Sequence, residues 1–205
     1  VEALVPAGLQ TAVAPALDAM TRKQLLRAGG PGDEQDRRFG HALVRDTAYE
    51  SLLKRDRADL HVRFVDWAEA VNAARGRGQE FEEIHGYHLE QAYRYRVQLG
   101  VVDDSVRAIG GRASAKLASA GRRAMARGDT PAAASLLRRA TRTRSEDDPE
   151  RLALVPELGL ALLEAGALDE AAVTLDETVP LAEAAGLASV RERARLVRCL
   201  SLIHI

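Results

Sequence analysis

The stretch that decides the fold is GRRAMARGDTPAAASLL (residues 121–137), because it returns in altered form as GLALLEAGALDEAAVTL (residues 159–175). The two copies are 38 residues apart. Gly121 matches Gly159, Gly128 matches Gly166, and Leu137 matches Leu175, while the alanine pair after the turn is also kept. Self-similarity at a fixed period of this length is the signature of a repeat protein. The second half of the chain is therefore predicted to be built from repeated units.

Each unit is predicted to be a helix, a tight glycine turn and a second helix. The apolar positions from residue 106 to residue 124 are spaced by three or four, as an amphipathic helix requires. Pro131 follows the turn at a first-turn position that tolerates proline, and Pro149 aligns with Leu187 at the start of a third unit. Because one helical hairpin cannot bury its own apolar face, the units must stack. Residues 101–205 are thus predicted to form a TPR-like solenoid, in which Pro180 should kink or end its helix.

The composition favours helix and offers no global charge to direct the chain to nucleic acid or membrane. Hydrophobic residues make up 46%, aromatic residues only 4%, and the formal net charge is −1. Alanine, leucine and arginine have high helix propensity. The single cysteine excludes an internal disulfide framework, and no long apolar run predicts a membrane span. We expect a cytoplasmic fragment of a longer protein, with no membrane partner.

Upstream of the repeats, the pattern predicts a partial winged-helix-like domain over residues 1–53. Residues 9–22 have helical spacing, residues 25–27 and 38–42 are candidate strands around a glycine-rich loop at 29–32, and residues 43–53 form a further helix. Residues 54–100 are predicted to be connecting helices, one at 57–74 and one at 81–99. Trp67 and Ile84 are placed on their buried stripes, together with Tyr95.

Motifs for chemistry are weak, so the fragment is predicted to have no catalytic residue, no metal site and no cofactor of its own. A phosphate-binding loop with its lysine is missing. His85 and His88 share a helix face but have no obvious third ligand; His88 is expected to pack and His85 to be solvated. Ser51, Asp59 and His61 have no nucleophile elbow around the serine. The interaction-surface candidates are Tyr93, Arg94, Arg138 and Arg142, and the other basic clusters are interpreted as solvated faces.

Two segments go beyond composition: RFGHALVRDTAYESL (residues 38–52) and HGYHLEQAYRY (residues 85–95). The first resembles a signature of bacterial STAND-type ATPases, which carry an AAA-like ATPase, a winged helix and TPR repeats. The second resembles the helix that follows in a branch often joined to class III adenylate/guanylate cyclase domains or DNA-binding response regulators. The resemblance extends over roughly residues 16–185.

The resemblance implies a regulatory, non-catalytic segment of a multidomain signalling ATPase, in which ATP and Mg²⁺ belong to the parent protein. Its partners would be its own upstream ATPase module and a protein or peptide on the repeats. His41 is the candidate for sensing nucleotide, although Gly40 stands where the signature has arginine, and a capping or packing role for His41 remains open. Arg45 and Asp46 should form a local ion pair. The alternative is a DNA-binding regulator acting through the winged helix, although nucleic acid is not the expected partner.

The last seven residues, 199–205, depart from the alanine- and arginine-rich style of the repeats and contain the single cysteine, Cys199. They resemble translated read-through of a sequencing adapter. A genuine apolar end of the third repeat's helix is the alternative. No function is assigned to them.

Overall fold

The computed structural model describes residues 2–29, 36–74, 76 and 80–203. Within these residues the fold is mainly α, with nine helices and one two-stranded antiparallel sheet. Two short 3₁₀ turns precede the first helix. The helices are α1 (Gln10–Arg22), α2 (Ala42–Ser51), α3 (Lys54–Ala74), α4 (Glu82–Gln98), α5 (Asp104–Ala126), α6 (Thr130–Arg142), α7 (Pro149–Glu164), α8 (Leu168–Ala184) and α9 (Ala188–Ile203).

The N-terminal part consists of α1 and a short β-hairpin, both of which the sequence predicted. Strand β1 (Leu26–Ala28) pairs antiparallel with β2 (Arg37–Phe39), and Leu26 lies opposite Phe39. Strand β2 begins one residue earlier than predicted and ends before Gly40. Of the predicted loop at residues 29–32, only Gly29 is among the described residues. Few side chains are buried here, chiefly Val13 and Leu26.

From α3 onward, successive helices pack against one another in chain order. Val65, Leu89 and Ala113 join α3, α4 and α5 in a small apolar cluster. A larger cluster of leucine, alanine and valine side chains runs through α5 to α9 and includes the fully buried Leu162 and Leu175. The apolar interior of the helical part is therefore divided into separate clusters, of which the one through α5 to α9 is larger than the one that joins α3, α4 and α5. It is built mostly from alanine and leucine.

The 38-residue period reappears in the element boundaries. Helix α5 ends at Ala126 and α7 at Glu164, while α6 begins at Thr130 and α8 at Leu168. The turns at Gly128 and Gly166 both have positive φ, 77° and 79°. Each glycine N–H bonds a carbonyl three residues back, and the next N–H bonds one five residues back. This is the Schellman end of a helix, which glycine adopts without strain, so the predicted helix–turn–helix units are confirmed.

Prolines inside helices do not end them. Pro156 lies within α7 and Pro180 within α8, and α8 continues to Ala184. A proline removes one backbone donor from the ladder, and both helices continue past that loss. Helix α9 runs on through Ile203, so residues 199–203 continue a helix and residues 204–205 lie outside the described part.

The predicted buried faces of α3 and α4 are wrong by about one residue. Trp67 is 44% exposed and Ile84 is 50% exposed. The face of α3 that packs carries Ala58, His61, Val65 and Ala68. Small side chains allow the close approach of a neighbouring helix, so the large residues that the periodicity favoured lie on the flank. Tyr95, by contrast, is half-buried as expected.

The three segments predicted as domains meet at short links, between α2 and α3 and between α4 and α5. These boundaries stay predictions. The helix break predicted at residues 75–78 falls mostly outside the described residues, apart from Gly76 with its positive φ. Within the described part of the chain, no helix is both long and apolar enough to cross a membrane.

Candidate functional site

A groove runs over one face of three alternate helices, α5, α7 and α9, and encloses about 340 Å³. We call it the α5/α7/α9 groove. Its floor includes alanines of α5 and α7, which keep the helix backbones close to the surface. Its lining residues are Ser114, Ala115, Ala118, Arg122, Arg144, Glu150, Ala153, Leu154, Glu157 and Arg193.

Some polar side chains of this groove have hydrogen-bond or ion-pair partners within the protein, and others have none among the described residues. Arg122 donates two hydrogen bonds to Glu157, at 2.7 and 3.1 Å, which ties α5 to α7. That contact, against the cost of partial burial, raises the pKa of Arg122. Ser114 is only 1% exposed and its hydroxyl has no hydrogen-bond partner. Arg193 is exposed and forms no ion pair with the residues described. A ligand on this face would meet one uncommitted cation, Arg193, whereas the unsatisfied Ser114 hydroxyl lies beneath the surface.

The predicted surface residues fall into two groups. The ring of Tyr93 covers Gly110, where an added Cβ would lie 2.9 Å from it, so this tyrosine is half-buried between α4 and α5. Arg138 binds Glu170 of α8 through two hydrogen bonds of 2.7 and 2.8 Å. Arg94 and Arg142 are exposed. Tyr93 and Arg138 therefore already have intramolecular roles, and none of the four lines the α5/α7/α9 groove.

Several basic residues that were interpreted as solvated instead join neighbouring helices. Arg139 of α6 pairs with Glu90 of α4 at 2.6 Å, and Arg123 of α5 pairs with Glu82 of α4. Each partly buried carboxylate thereby gains charge-assisted hydrogen bonds. The basic clusters of this part of the chain thus serve packing more than they serve a partner.

A second polar feature joins α2, α3 and α4. We call it the aromatic–histidine cluster, and it consists of Tyr49, Arg57, His61, His88 and Tyr95. The Tyr49 hydroxyl lies 2.8 Å from His61 Nε2 and 3.1 Å from the Tyr95 hydroxyl, and His61 Nδ1 lies 2.7 Å from His88 Nδ1. The Arg57 guanidinium covers the Tyr49 ring at 4.9 Å. Neutral imidazoles satisfy this chain of hydrogen bonds in either direction, because each has one donor and one acceptor.

The surroundings of the cluster favour its uncharged forms. Burial, and then the neighbouring His88, lower the pKa of His61 to about 4. Burial also lowers the pKa of His88 and raises that of Tyr49. At neutral pH the two imidazoles are therefore neutral. The cluster holds α2 on the α3–α4 pair through hydrogen bonds between uncharged side chains and through the Arg57 cation over the Tyr49 ring.

His41 occupies the N-cap position of α2, but its side chain makes no capping hydrogen bond and is exposed. The predicted capping or packing role of this side chain is therefore wrong, because the exposed ring neither bonds a helix amide nor lies in the interior. Gly40 has a geometric reason to be there, since a Cβ would lie 2.8 Å from the Gln24 carbonyl oxygen. Arg45 and Asp46 form the expected local ion pair, at 2.8 Å.

The residues considered for chemistry are held apart by other partners. The Ser51 hydroxyl donates to the Ala48 carbonyl at 2.7 Å, Asp59 pairs with Arg96, and His61 belongs to the cluster. His85 is 2% exposed, which reverses the expectation of a solvated ring, while His88 packs as expected. Among the described residues, no group of three or more histidine, cysteine or acidic side chains is arranged to hold a metal ion.

Sequence reasoning missed Tyr49, Arg57 and Arg193. Tyr49 of α2 lies 12 residues before the His61 of α3 that it contacts, and Arg57 of α3 covers the Tyr49 ring of α2, so no spacing rule within one helix links these contacts. Comparison with known proteins finds no family model, no curated protein and no solved structure that matches the chain.

Proposed function

We propose that this chain is a non-catalytic interaction segment, in which α5–α9 act as a TPR-like helical scaffold that binds a protein or peptide. The observation that carries the proposal is the 38-residue recurrence of helix ends, glycine turns and glycine–leucine contacts in α5/α6 and α7/α8. Repeats stacked in this way present the first helix of each unit along one face. Those first helices are α5, α7 and α9.

The chemistry of the α5/α7/α9 groove favours an extended segment with a carboxylate. Arg193 offers an uncommitted guanidinium, and the Arg122–Glu157 pair offers polar edges for backbone groups. Guanidinium groups bind carboxylates through two parallel hydrogen bonds. We propose an acidic peptide segment as the ligand of this face.

The wider setting of the proposal rests on the resemblance of residues 38–52 and 85–95 to STAND-type ATPases. In that setting α1, the β-hairpin and α2 are the C-terminal part of a winged helix packed on an upstream ATPase module. ATP and Mg²⁺ bind that module in a cytoplasmic parent, whose output is a nucleotide cyclase. Partner binding on the repeats would shift the population between its closed and open states.

A direct test measures binding of the purified chain to the ATPase module encoded upstream, if the reading frame holds one with a phosphate-binding loop, and to acidic peptides selected from a display library. We expect Arg193→Glu to weaken peptide binding about tenfold or more, from the loss of a charge-assisted contact. Arg195→Glu, on another face of α9, is the control and should bind as the parent chain does.

Two results would overturn the proposal. One is equal loss of peptide binding in both charge-reversal variants, which would indicate non-specific electrostatics. The other is sequence-selective binding to duplex DNA at physiological salt, which would favour a DNA-binding regulator instead. A missing upstream phosphate-binding loop would remove the ATPase setting and leave the repeat scaffold.

A further inference from the structure

A second cleft, of about 460 Å³, opens on a different face of α7. We call it the α7/α8 cleft, because these helices and the α6–α7 link line it. The α7/α8 cleft and the α5/α7/α9 groove are lined by different residues of α7. Arg151 and Val155 line the cleft, whereas Glu150 and Leu154 line the groove. At 100° per residue, the two sets lie on distinct sides of the helix. The cleft is therefore a separate site.

The wall of the α7/α8 cleft contains a guanidinium without a partner. Nε and Nη1 of Arg151 are both buried, and neither has a hydrogen-bond partner. Arg122 and Arg138, on the neighbouring α5 and α6, each donate two hydrogen bonds to a carboxylate. Arg151 as a whole is half-buried, and leaving two buried guanidinium nitrogens without hydrogen bonds is unfavourable. Arg151 therefore lacks the anion that its neighbours have.

The remaining lining limits which anion fits. Leu152, Val155 and Leu158 are buried and supply an apolar wall. Glu146 and Glu177 also line the cleft; both are exposed, and neither forms an ion pair with a described residue. Two carboxylates beside one guanidinium disfavour a polyanion and favour a ligand that also carries a cation. The required ligand has a carboxylate, an ammonium group and an apolar tail.

Two threonine hydroxyls that line the cleft already have hydrogen-bond partners within the protein. The Thr141 and Thr178 hydroxyls both donate to carbonyls of their own helices, at 2.9 Å. The volume lies in the range of small-molecule sites rather than of extended peptide grooves. A free small molecule therefore suits the cleft better than a folded partner does.

We propose that the α7/α8 cleft binds a free α-amino acid with an apolar side chain. Its carboxylate pairs with Arg151, its ammonium group with Glu146 or Glu177, and its side chain packs on Leu152 and Val155. Because α7 also lines the α5/α7/α9 groove, such a ligand would contact the helix that the two sites share. The proposal does not depend on peptide binding at that groove.

Isothermal titration of the full chain tests the proposal, with L-leucine, L-methionine and L-phenylalanine as probes at millimolar concentration. We expect at least one to bind. Leucinamide, which lacks the carboxylate, and N-acetyl-L-leucine, which lacks the ammonium group, should each bind about tenfold more weakly or worse than L-leucine, because each loses a charged contact. Failure of all three amino acids to bind would overturn the proposal, as would equal binding of leucinamide and L-leucine.

Two substitutions locate the site. Arg151→Met should abolish binding while the chain stays folded, since an apolar side chain replaces an unpaired buried guanidinium; Arg127→Met, at the exposed end of α5, is its control. Glu177→Gln should weaken binding, with Glu164→Gln as its control. Binding that survives Arg151→Met would overturn the site. If the Arg193→Glu variant loses peptide binding but still binds the amino acid, the α5/α7/α9 groove and the α7/α8 cleft are independent sites.

Discussion

The region where α2, α3 and α4 meet and the region from α5 to α8 are held together by opposite means. The first depends on the aromatic–histidine cluster, in which hydroxyl and imidazole groups bond across three helices. The second depends on alanine, glycine and leucine in van der Waals contact, with Gly121 against Leu137 and Gly159 against Leu175. Hydrogen bonds require particular partners, whereas apolar packing requires volume and close approach.

The difference predicts different vulnerabilities. The stability of the α2–α4 region should respond to pH, because its polar groups titrate. That of the α5–α8 region should respond to changes of side-chain volume, because interiors are packed like organic crystals. Of the four predictions that follow, the first three test this contrast and the fourth compares two repeats within the α5–α8 region.

The largest effect is expected from Leu162→Ala in α7. Leu162 is fully buried in the main apolar cluster, and its truncation should lower the free energy of unfolding by about 2–5 kcal/mol. Leu160→Ala, at a position 37% exposed on the same helix, should cost much less. Urea unfolding measures both, and equal losses would contradict the assignment of the packed face.

Two glycines inside helices, Gly159 in α7 and Gly111 in α5, give the next effect. A Cβ at Gly159 would lie 2.7 Å from Leu175, so Gly159→Ala should destabilise by about 1–2 kcal/mol, after allowing for the higher helix propensity of alanine. At Gly111 the nearest atom, at 3.3 Å, is the flexible end of Arg144. Gly111→Ala should therefore stabilise by about 0.5–1 kcal/mol. Thermal and urea unfolding of both variants would show opposite signs, and a shared sign would refute the steric argument.

The pH dependence comes next. The pKa of His61 is about 4 in the folded chain, against an ordinary value of 6.5. The unfolded chain thus binds the proton first as pH falls, so His61 contributes full stability above pH 6.5 and loses it progressively towards pH 4. At pH 5 the loss should be about 1–2 kcal/mol, discounted for partial solvent access.

Denaturant titrations at pH 7 and pH 5 measure this loss. His61→Gln should flatten the pH dependence, whereas His41→Gln, which removes an exposed side chain, should leave it as in the parent chain. A pH dependence that is unchanged in His61→Gln would place the titrating group elsewhere.

The smallest effect concerns two equivalent helix starts. The Asp129 carboxylate caps α6 by accepting from the Ala132 amide, whereas Ala167, with nearly the same backbone angles, leaves α8 without a side-chain cap. Asp129→Ala should cost about 1 kcal/mol and Ala167→Asp should add about 0.5–1 kcal/mol. Unfolding midpoints would reveal the two opposite shifts, and a neutral Ala167→Asp would mean that the two turns are not equivalent.

Repeat register and turns were predictable because they depend on local chemistry. Glycine at positions 128 and 166 allows the left-handed conformation that ends a helix, and the first-turn Pro131 fits the next one. The faces of α3 and α4 were not predictable in the same way. Periodicity placed Trp67 inside because it is large and apolar, but the buried face of α3 includes Ala58 and Ala68, which a hydrophobicity pattern ranks low.

The candidate sites depended even more on tertiary contacts. The sequence offered Arg138, Arg142, Tyr93 and Arg94 as surface residues but could not show that Arg138 pairs with Glu170. It also gave no reason to single out Arg151, whose significance comes from the absence of a neighbour. A missing partner is a property of the packed structure, because every side chain in the unfolded chain has water.

By itself, the sequence determined that the chain is mainly α, that helices end before Gly128 and Gly166, and that one helix–turn–helix unit recurs after 38 residues. These features follow from backbone propensity and glycine conformation, which act over a few residues. Only the tertiary structure decided which arginines are paired, which histidines are buried and where the two clefts open. Those outcomes depend on distances between residues far apart in the chain, and such distances exist only once the helices have packed.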